Sequence, residues 1–148
     1  LSNSSKGAEL ERKAKQALEA TRFRVHRTIR TPFAVGGGRM ASHNNDVFGV
    51  FDLIATRADR MVYVQVTVLE GMSARRTKAE SVAGDVPNCH CISVEIWGWI
   101  GGRVRAKEPR GAHPAQCFRV SRWDPVNFIW YYDGYIDLDG GWFAPFKA

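Results

Sequence analysis

Apolar positions along this chain fall into short blocks of contrasting period. Leu10, Ala14, Ala17 and Leu18 recur every three or four residues, the spacing of one buried helix face. A helix is therefore expected from about Ser5 to Ala20, with Ser4 or Ser5 as its N-cap. Phe23-Arg-Val25-His-Arg27 then alternates apolar and polar, as a strand with one buried side does. Thr31 to Asn45 contains Pro32 and Gly36-Gly37-Gly38 and is expected to be a mobile loop.

Asp46-Val-Phe-Gly49-Val-Phe-Asp52-Leu-Ile-Ala55 is almost continuously apolar, with two embedded acids. A turn around Arg57 to Arg60 leads into Met61-Val-Tyr-Val-Gln65-Val-Thr67-Val68. Together they predict an antiparallel hairpin in the middle of a sheet. Ser73 to Val82 predicts a second helix capped by Ser73, Cys91 to Trp99 a further strand, and Gln116 to Ser121 another. The order α-β-β-β-α-β-β describes an α/β domain, a central mixed sheet flanked by helices. The domain is expected over 1–126, with 127–148 as an aromatic-rich extension packing on it or on a dimer partner.

The bulk composition adds boundaries to this picture. A chain of 148 residues, 45% hydrophobic and 24% charged, is one ordinary globular domain. No apolar run approaches the roughly 20 residues that cross a bilayer, and the polar start has no hydrophobic region of an export signal. A cytoplasmic protein with no membrane association is expected. The three cysteines, Cys89, Cys91 and Cys117, are expected to be reduced. Cys89-His-Cys91 with Cys117 and His113 suggests zinc only weakly, for want of a second pair at ligand spacing.

Net charge is +6, with basic residues clustered in the first helix and strand and again from Arg103 to Arg122. Lys6, Arg12, Lys15 and Arg27, with Arg75 and Arg76 on the second helix, are the candidate phosphate contacts. A nucleic acid is the partner this distribution suits, and a solvated surface is the alternative.

Asp52 is the leading chemical candidate, because an ionised carboxylate between Phe51 and Leu53 is costly unless a cation or hydrogen bonds compensate it. Gln65 and Thr67 project to one face of the partner strand, with Tyr63 beyond them. An acid facing an amide and a hydroxyl makes an oxygen-lined pocket of the kind Mg²⁺ prefers. Glu11, beside the apolar stripe of the first helix, is placed to lean over the sheet and join them.

Lys6-Gly7-Ala-Glu-Leu-Glu11-Arg12, Phe51-Asp52-Leu-Ile-Ala55 and Val64-Gln65-Val66-Thr67 together resemble the K-G-x-x-x-E-R, P-D-x-x-A and E-x-K segments of archaeal-type Holliday-junction resolvases. These belong to the restriction-endonuclease-like (PD-D/E-x-K) superfamily. The chain is also similar to a group of phage and bacterial proteins with D-x-F-G-x-x-D, Q-V-T, S-A-R and W-G-W segments, read here at Asp46–Asp52, Gln65–Thr67, Ser73–Arg75 and Trp97–Trp99. The match spans about Lys6 to Trp123.

The resemblance implies a restriction-endonuclease-like core and a Mg²⁺-dependent (or Mn²⁺-dependent) DNA endonuclease acting as a homodimer. Glu11, Asp52 and Gln65 would hold the metal, with Asp46 restoring the acid that Gln65 replaces. Thr67 stands where the family has lysine, and Lys78 is the candidate for a displaced lysine. Two alternatives stay open: a DNA-binding protein that kept the fold without catalysis, and an interaction protein whose basic surface is incidental.

Overall fold

A computed structural model describes residues 3–28, 31–43, 46–101 and 116–144. Helix α1 (Asn3–Ala20) precedes strand β1 (Arg24–Arg27), and its buried Ala14, Ala17 and Leu18 are the stripe that the periodicity predicts. Among the described residues it starts at Asn3, so Ser4 and Ser5 fall inside the first turn and not at the expected cap position. Residues 31–43, expected as a mobile loop, form a two-stranded hairpin, β2 (Thr31–Ala34) and β3 (Met40–His43). All three glycines of the run Gly36–Gly38 turn it at positive φ, which glycine alone adopts without strain.

The main sheet continues with β4 (Leu53–Arg57) and β5 (Arg60–Val68), the antiparallel hairpin expected from the two apolar blocks. A short 3₁₀ turn, Leu69–Gly71, then feeds α2 (Met72–Ala83). The N-cap of α2 is Gly71, without a side-chain bond, so the cap expected at Ser73 is absent. After α2 come β6 (Ile92–Ile100), β7 (Cys117–Asp124), β8 (Ile129–Asp137) and β9 (Trp142–Phe143). The seven strands stand in the order β1-β4-β5-β6-β7-β8-β9, with only β5 and β6 parallel. The sheet is therefore mixed, as expected, and α2 makes the crossover that a parallel pair requires. The aromatic stretch after residue 127 supplies β8 and β9 of this same sheet, so a boundary at 126 falls between two of its strands.

Alternation assigns the two faces. Leu53, Val62, Val64, Val66, Trp97, Phe118 and Val120 pack against α1, whereas Val94, Ile96 and Trp123 pack with Met72, Ala79 and Ala83 of α2. Trp97 and Trp123 are 2% and 8% exposed, so they serve as core, not as stacking platforms. Between Trp97 and Trp99, Gly98 faces the start of α2: a Cβ there would lie 2.6 Å from Met72 Cγ and 3.2 Å from Leu69 Cα. Gly98→Ala is expected to cost about 1–3 kcal/mol of stability, read as a shifted denaturant midpoint.

Among the described residues no helix is long and apolar enough to cross a membrane. Cys89 and Cys91 are joined as a disulfide, not held as the expected reduced thiols. Their Cα atoms are 5.3 Å apart across a tight turn, within the ordinary range for a bridge. Cys117 is buried opposite Ile100, at the far end of β6 from Cys91, roughly 30 Å away at strand rise. It therefore cannot share a zinc ion with Cys89 and Cys91, and His113 lies outside the described residues.

Candidate functional site

Asp46 to Phe51, expected as part of a strand, is instead a tight reversal. Val47 and Phe51 bridge, Val50 N–H donates to Val47 O at 3.1 Å, and Phe48 and Gly49 both have positive φ (55° and 71°). These are the features of a type I′ turn. The reversal returns the chain so that Asp46 and Asp52 flank its open end, and Thr28 spans them. The Thr28 hydroxyl lies 3.1 Å from Asp46 Oδ1 and 3.2 Å from Asp52 O, and Thr28 N–H donates to Asp52 O at 2.9 Å.

The Asp52 side chain turns toward β5. Regular pairing of β4 with β5 stops at Leu53 opposite Val64, and Asp52 Oδ2 takes the backbone N–H of Val66 at 2.8 Å. The same oxygen accepts a short hydrogen bond from Gln65 Nε2. Asp52 is only 7% exposed, and its carboxyl is pushed up to about 7. Burial is the main cause, and the negative charges of Asp46 and Glu11 add to it. The Val66 N–H and the Arg75 cation pull the other way.

Gln65, 3% exposed, also directs Nε2 to Val66 O at 3.2 Å. Its Oε1 is buried without a hydrogen-bond partner among the described residues. A buried carbonyl oxygen left so costs free energy, so this atom marks a place suited to a donor or a cation. Thr67 shares the face of Gln65 but is packed against Gly71, where an added Cβ would collide with its Oγ1. It carries no charge to replace a lysine.

Glu11 is less exposed than its helix neighbours, 22% against 41% for Glu9 and 52% for Glu19, as its place beside the stripe predicts. Its charge reaches Asp52, yet its Oε2 is held by Arg27 Nε at 2.8 Å. Arg27, expected to meet phosphate, thus holds Glu11. Among the described residues no group of three or more His, Cys, Asp or Glu is close enough to share a metal ion. Asp52 and Gln65 do converge; Asp46 and Glu11 act on Asp52 through their charge, each with a hydrogen-bond partner of its own.

On α2 the cation whose charge reaches Asp52 is Arg75; Arg75 and Lys78, about one turn further on, are both exposed. Sequence reading placed Arg75 among general phosphate contacts, and its position in the first turn of α2, near the end of β5, was the available signal. Lys6 and Arg12 are exposed on α1, Lys15 pairs with Glu19 at 3.7 Å, and Arg76 is half-buried. Of the later basic cluster, Arg103, Arg105, Lys107 and Arg110 lie outside the described residues, and Arg119 stacks over Tyr132 at 4.1 Å.

Arg122 belongs to a second buried polar group that sequence reading missed. Glu95, 3% exposed, accepts from Arg122 Nε and Nη2 at 3.0 and 2.8 Å, Trp97 Nε1 at 2.8 Å, Arg60 Nη2 at 3.3 Å and Ser93 Oγ at 3.3 Å. It lies on the α1 face of the sheet, opposite the Gln65 face. Comparison with known protein families, characterised proteins and solved structures finds no match to this chain.

Proposed function

We propose that the chain is a divalent-metal-dependent DNA endonuclease with a restriction-endonuclease-like core, working at Asp52. The observation that carries this reading is the buried Asp52 carboxylate beside the unpartnered Gln65 Oε1, with the charges of Asp46 and Glu11 nearby. Hard oxygen donors and an excess of negative charge fit Mg²⁺ or Mn²⁺, and Mg²⁺ commonly takes only one or two carboxylates and keeps several waters. Asp52 and Gln65 would hold the ion directly, with Asp46 and Glu11 reaching it through such waters. When bound, the ion supplies an acidified water and a polarised phosphoryl oxygen.

The chain's own residues supply the remainder. Arg27 fixes the Glu11 carboxylate, Thr28 fixes Asp46, and Val66 N–H orients Asp52. Arg75 offers the nearby cation for a phosphate oxygen, the task that lysine would perform at Thr67. Topology supports the reading as well: a helix, an antiparallel three-strand run β1-β4-β5, and a helical crossover to parallel β6 follow the order that the resemblance implies. A homodimer on twofold DNA is part of the proposal.

A DNA-binding protein without catalysis is the second reading, favoured by the lack of a three-acid cluster and by Thr67. One experiment separates them: calorimetric titration with Mn²⁺, followed by cleavage of linear, single-stranded, flap and four-way-junction DNA. Mn²⁺ binding with cleavage is the expected result. DNA binding with neither would leave only the second reading.

Arg75→Ala is expected to lower kcat/KM about 100-fold, the usual loss for one positioned charge donor. It also removes a cation that lowers the Asp52 pKa, so the pH midpoint of Mn²⁺ binding should move up. Lys78→Ala should leave turnover unchanged. The opposite ranking of the two variants in steady-state kinetics would restore Lys78 as the displaced lysine.

A further inference from the structure

Phe48 holds a conformation that bulky residues rarely adopt, φ 55° at the tip of the turn, and the residue is 62% exposed. Such a residue costs stability locally, and strained positions of this kind cluster at binding sites. The ring forms one wall of a cavity of about 410 Å³, completed by Tyr63, Val82, Asp85, Val86 and Pro87. That volume is in the range of small-molecule sites. The Phe48 and Tyr63 rings are 6.0 Å apart and inclined at 41°.

The cavity adjoins the Asp52 site along two elements. Tyr63 is two residues before Gln65 on the same face of β5, a step of roughly 7 Å. On α2, Val82 lies seven residues beyond Arg75, roughly 10 Å along the axis. A flat π-system bonded through one sugar to a phosphate spans this distance. Exposed Asp85 is the cavity's one acidic side chain, able to accept from the amino and imino groups of a base, which an aliphatic ligand lacks.

We propose that the Phe48–Tyr63 cavity takes an unstacked nucleobase of a DNA strand whose neighbouring phosphodiester lies at Asp52 and Gln65. The inference rests on the endonuclease reading and narrows its substrate to DNA with an unpaired base beside the cut. Base–aromatic stacking accounts for the choice of walls.

The test is fluorescence anisotropy with a mixed-sequence single strand of about 12 nucleotides and its duplex, in Ca²⁺. The wild-type chain should prefer the single strand. Phe48→Leu should weaken that binding roughly 5- to 100-fold with melting unchanged, and Phe48→Trp should restore it. Abasic sites scanned along the strand should weaken wild-type binding at one position and leave the leucine variant indifferent there. Leucine binding as tightly as phenylalanine, or no sensitive abasic position, overturns the subsite. Mn²⁺-dependent cleavage that persists in that case keeps the nuclease; Phe48-dependent binding without any cleavage keeps the subsite and removes the nuclease.

Discussion

Asparagine at position 52 is expected to abolish metal-dependent cleavage and, at alkaline pH, to make the protein more stable. Both effects come from the same buried carboxyl. In the folded chain Asp52 keeps its proton up to about pH 7, mainly because burial denies the charge its water. In the unfolded chain it ionises near pH 4. The folded state binds the proton more tightly, so stability falls as pH rises from about 4 to about 7 and is level above that. Three pKa units correspond to about 4 kcal/mol. Asparagine escapes this loss: with its Oδ1 in the place of Asp52 Oδ2, it still accepts from Val66 N–H and from Gln65 Nε2.

Melting curves should therefore separate variant and parent by about 10 °C at about pH 8 and converge at about pH 4. A divalent cation that binds only the ionised carboxylate should raise the melting temperature of the parent and leave Asp52→Asn unchanged. Its affinity for the parent should climb through pH 7, as Asp52 gives up its proton. Equal stabilisation of both proteins by Mn²⁺, or undiminished cleavage by the variant, would remove Asp52 from the site.

Glu95→Ala is expected to cost about 3–5 kcal/mol, the range for stripping one partner from a buried ion pair. Alanine leaves Ser93, Trp97 Nε1 and part of Arg122 without their acceptor, although Arg60 Nη2 keeps Ser93 Oγ and Arg122 Nη2 keeps Asp133, both at 2.8 Å. At this chain length the loss lowers the melting temperature by about 10 °C. Glu95→Gln, which keeps an acceptor for Trp97, should fall between parent and alanine. Activity per folded molecule should hold in both, since Glu95 lies across the sheet from Gln65. A denaturation midpoint unmoved by alanine would mean that the group contributes no net stability.

Period and punctuation made the central hairpin, both helices and the β6 strand legible in the chain. The pairing of Asp52 with Gln65 followed from hairpin register, because alternation leaves no freedom once the turn at residues 58 and 59 is set. Other features depend on information that a local pattern lacks. The apolar block from Asp46 to Phe51 reads as strand by composition, and only Gly49 inside it signals the reversal. The Glu11–Arg27 pair joins residues sixteen apart through packing of α1 on β1, which neither segment encodes alone. Glu95 alternates correctly for a strand; its burial depends on Arg60 and Arg122 arriving from two neighbouring strands. Tyr131, Tyr132 and Tyr135 read as part of an aromatic extension packing on the domain or on a dimer partner, because a register shift opposite Val120 and Ser121 leaves β8 without a regular period of two.

With the β2–β3 hairpin set aside, each strand of the main sheet lies beside the one that precedes it in the chain. No segment has to be inserted between two strands already paired. As the polypeptide leaves the ribosome, the sheet can lengthen by accretion at a single growing border, with Asp52 and Gln65 joined before β7 has been synthesised. Each strand added at that border leaves the pairing of Asp52 with Gln65 untouched.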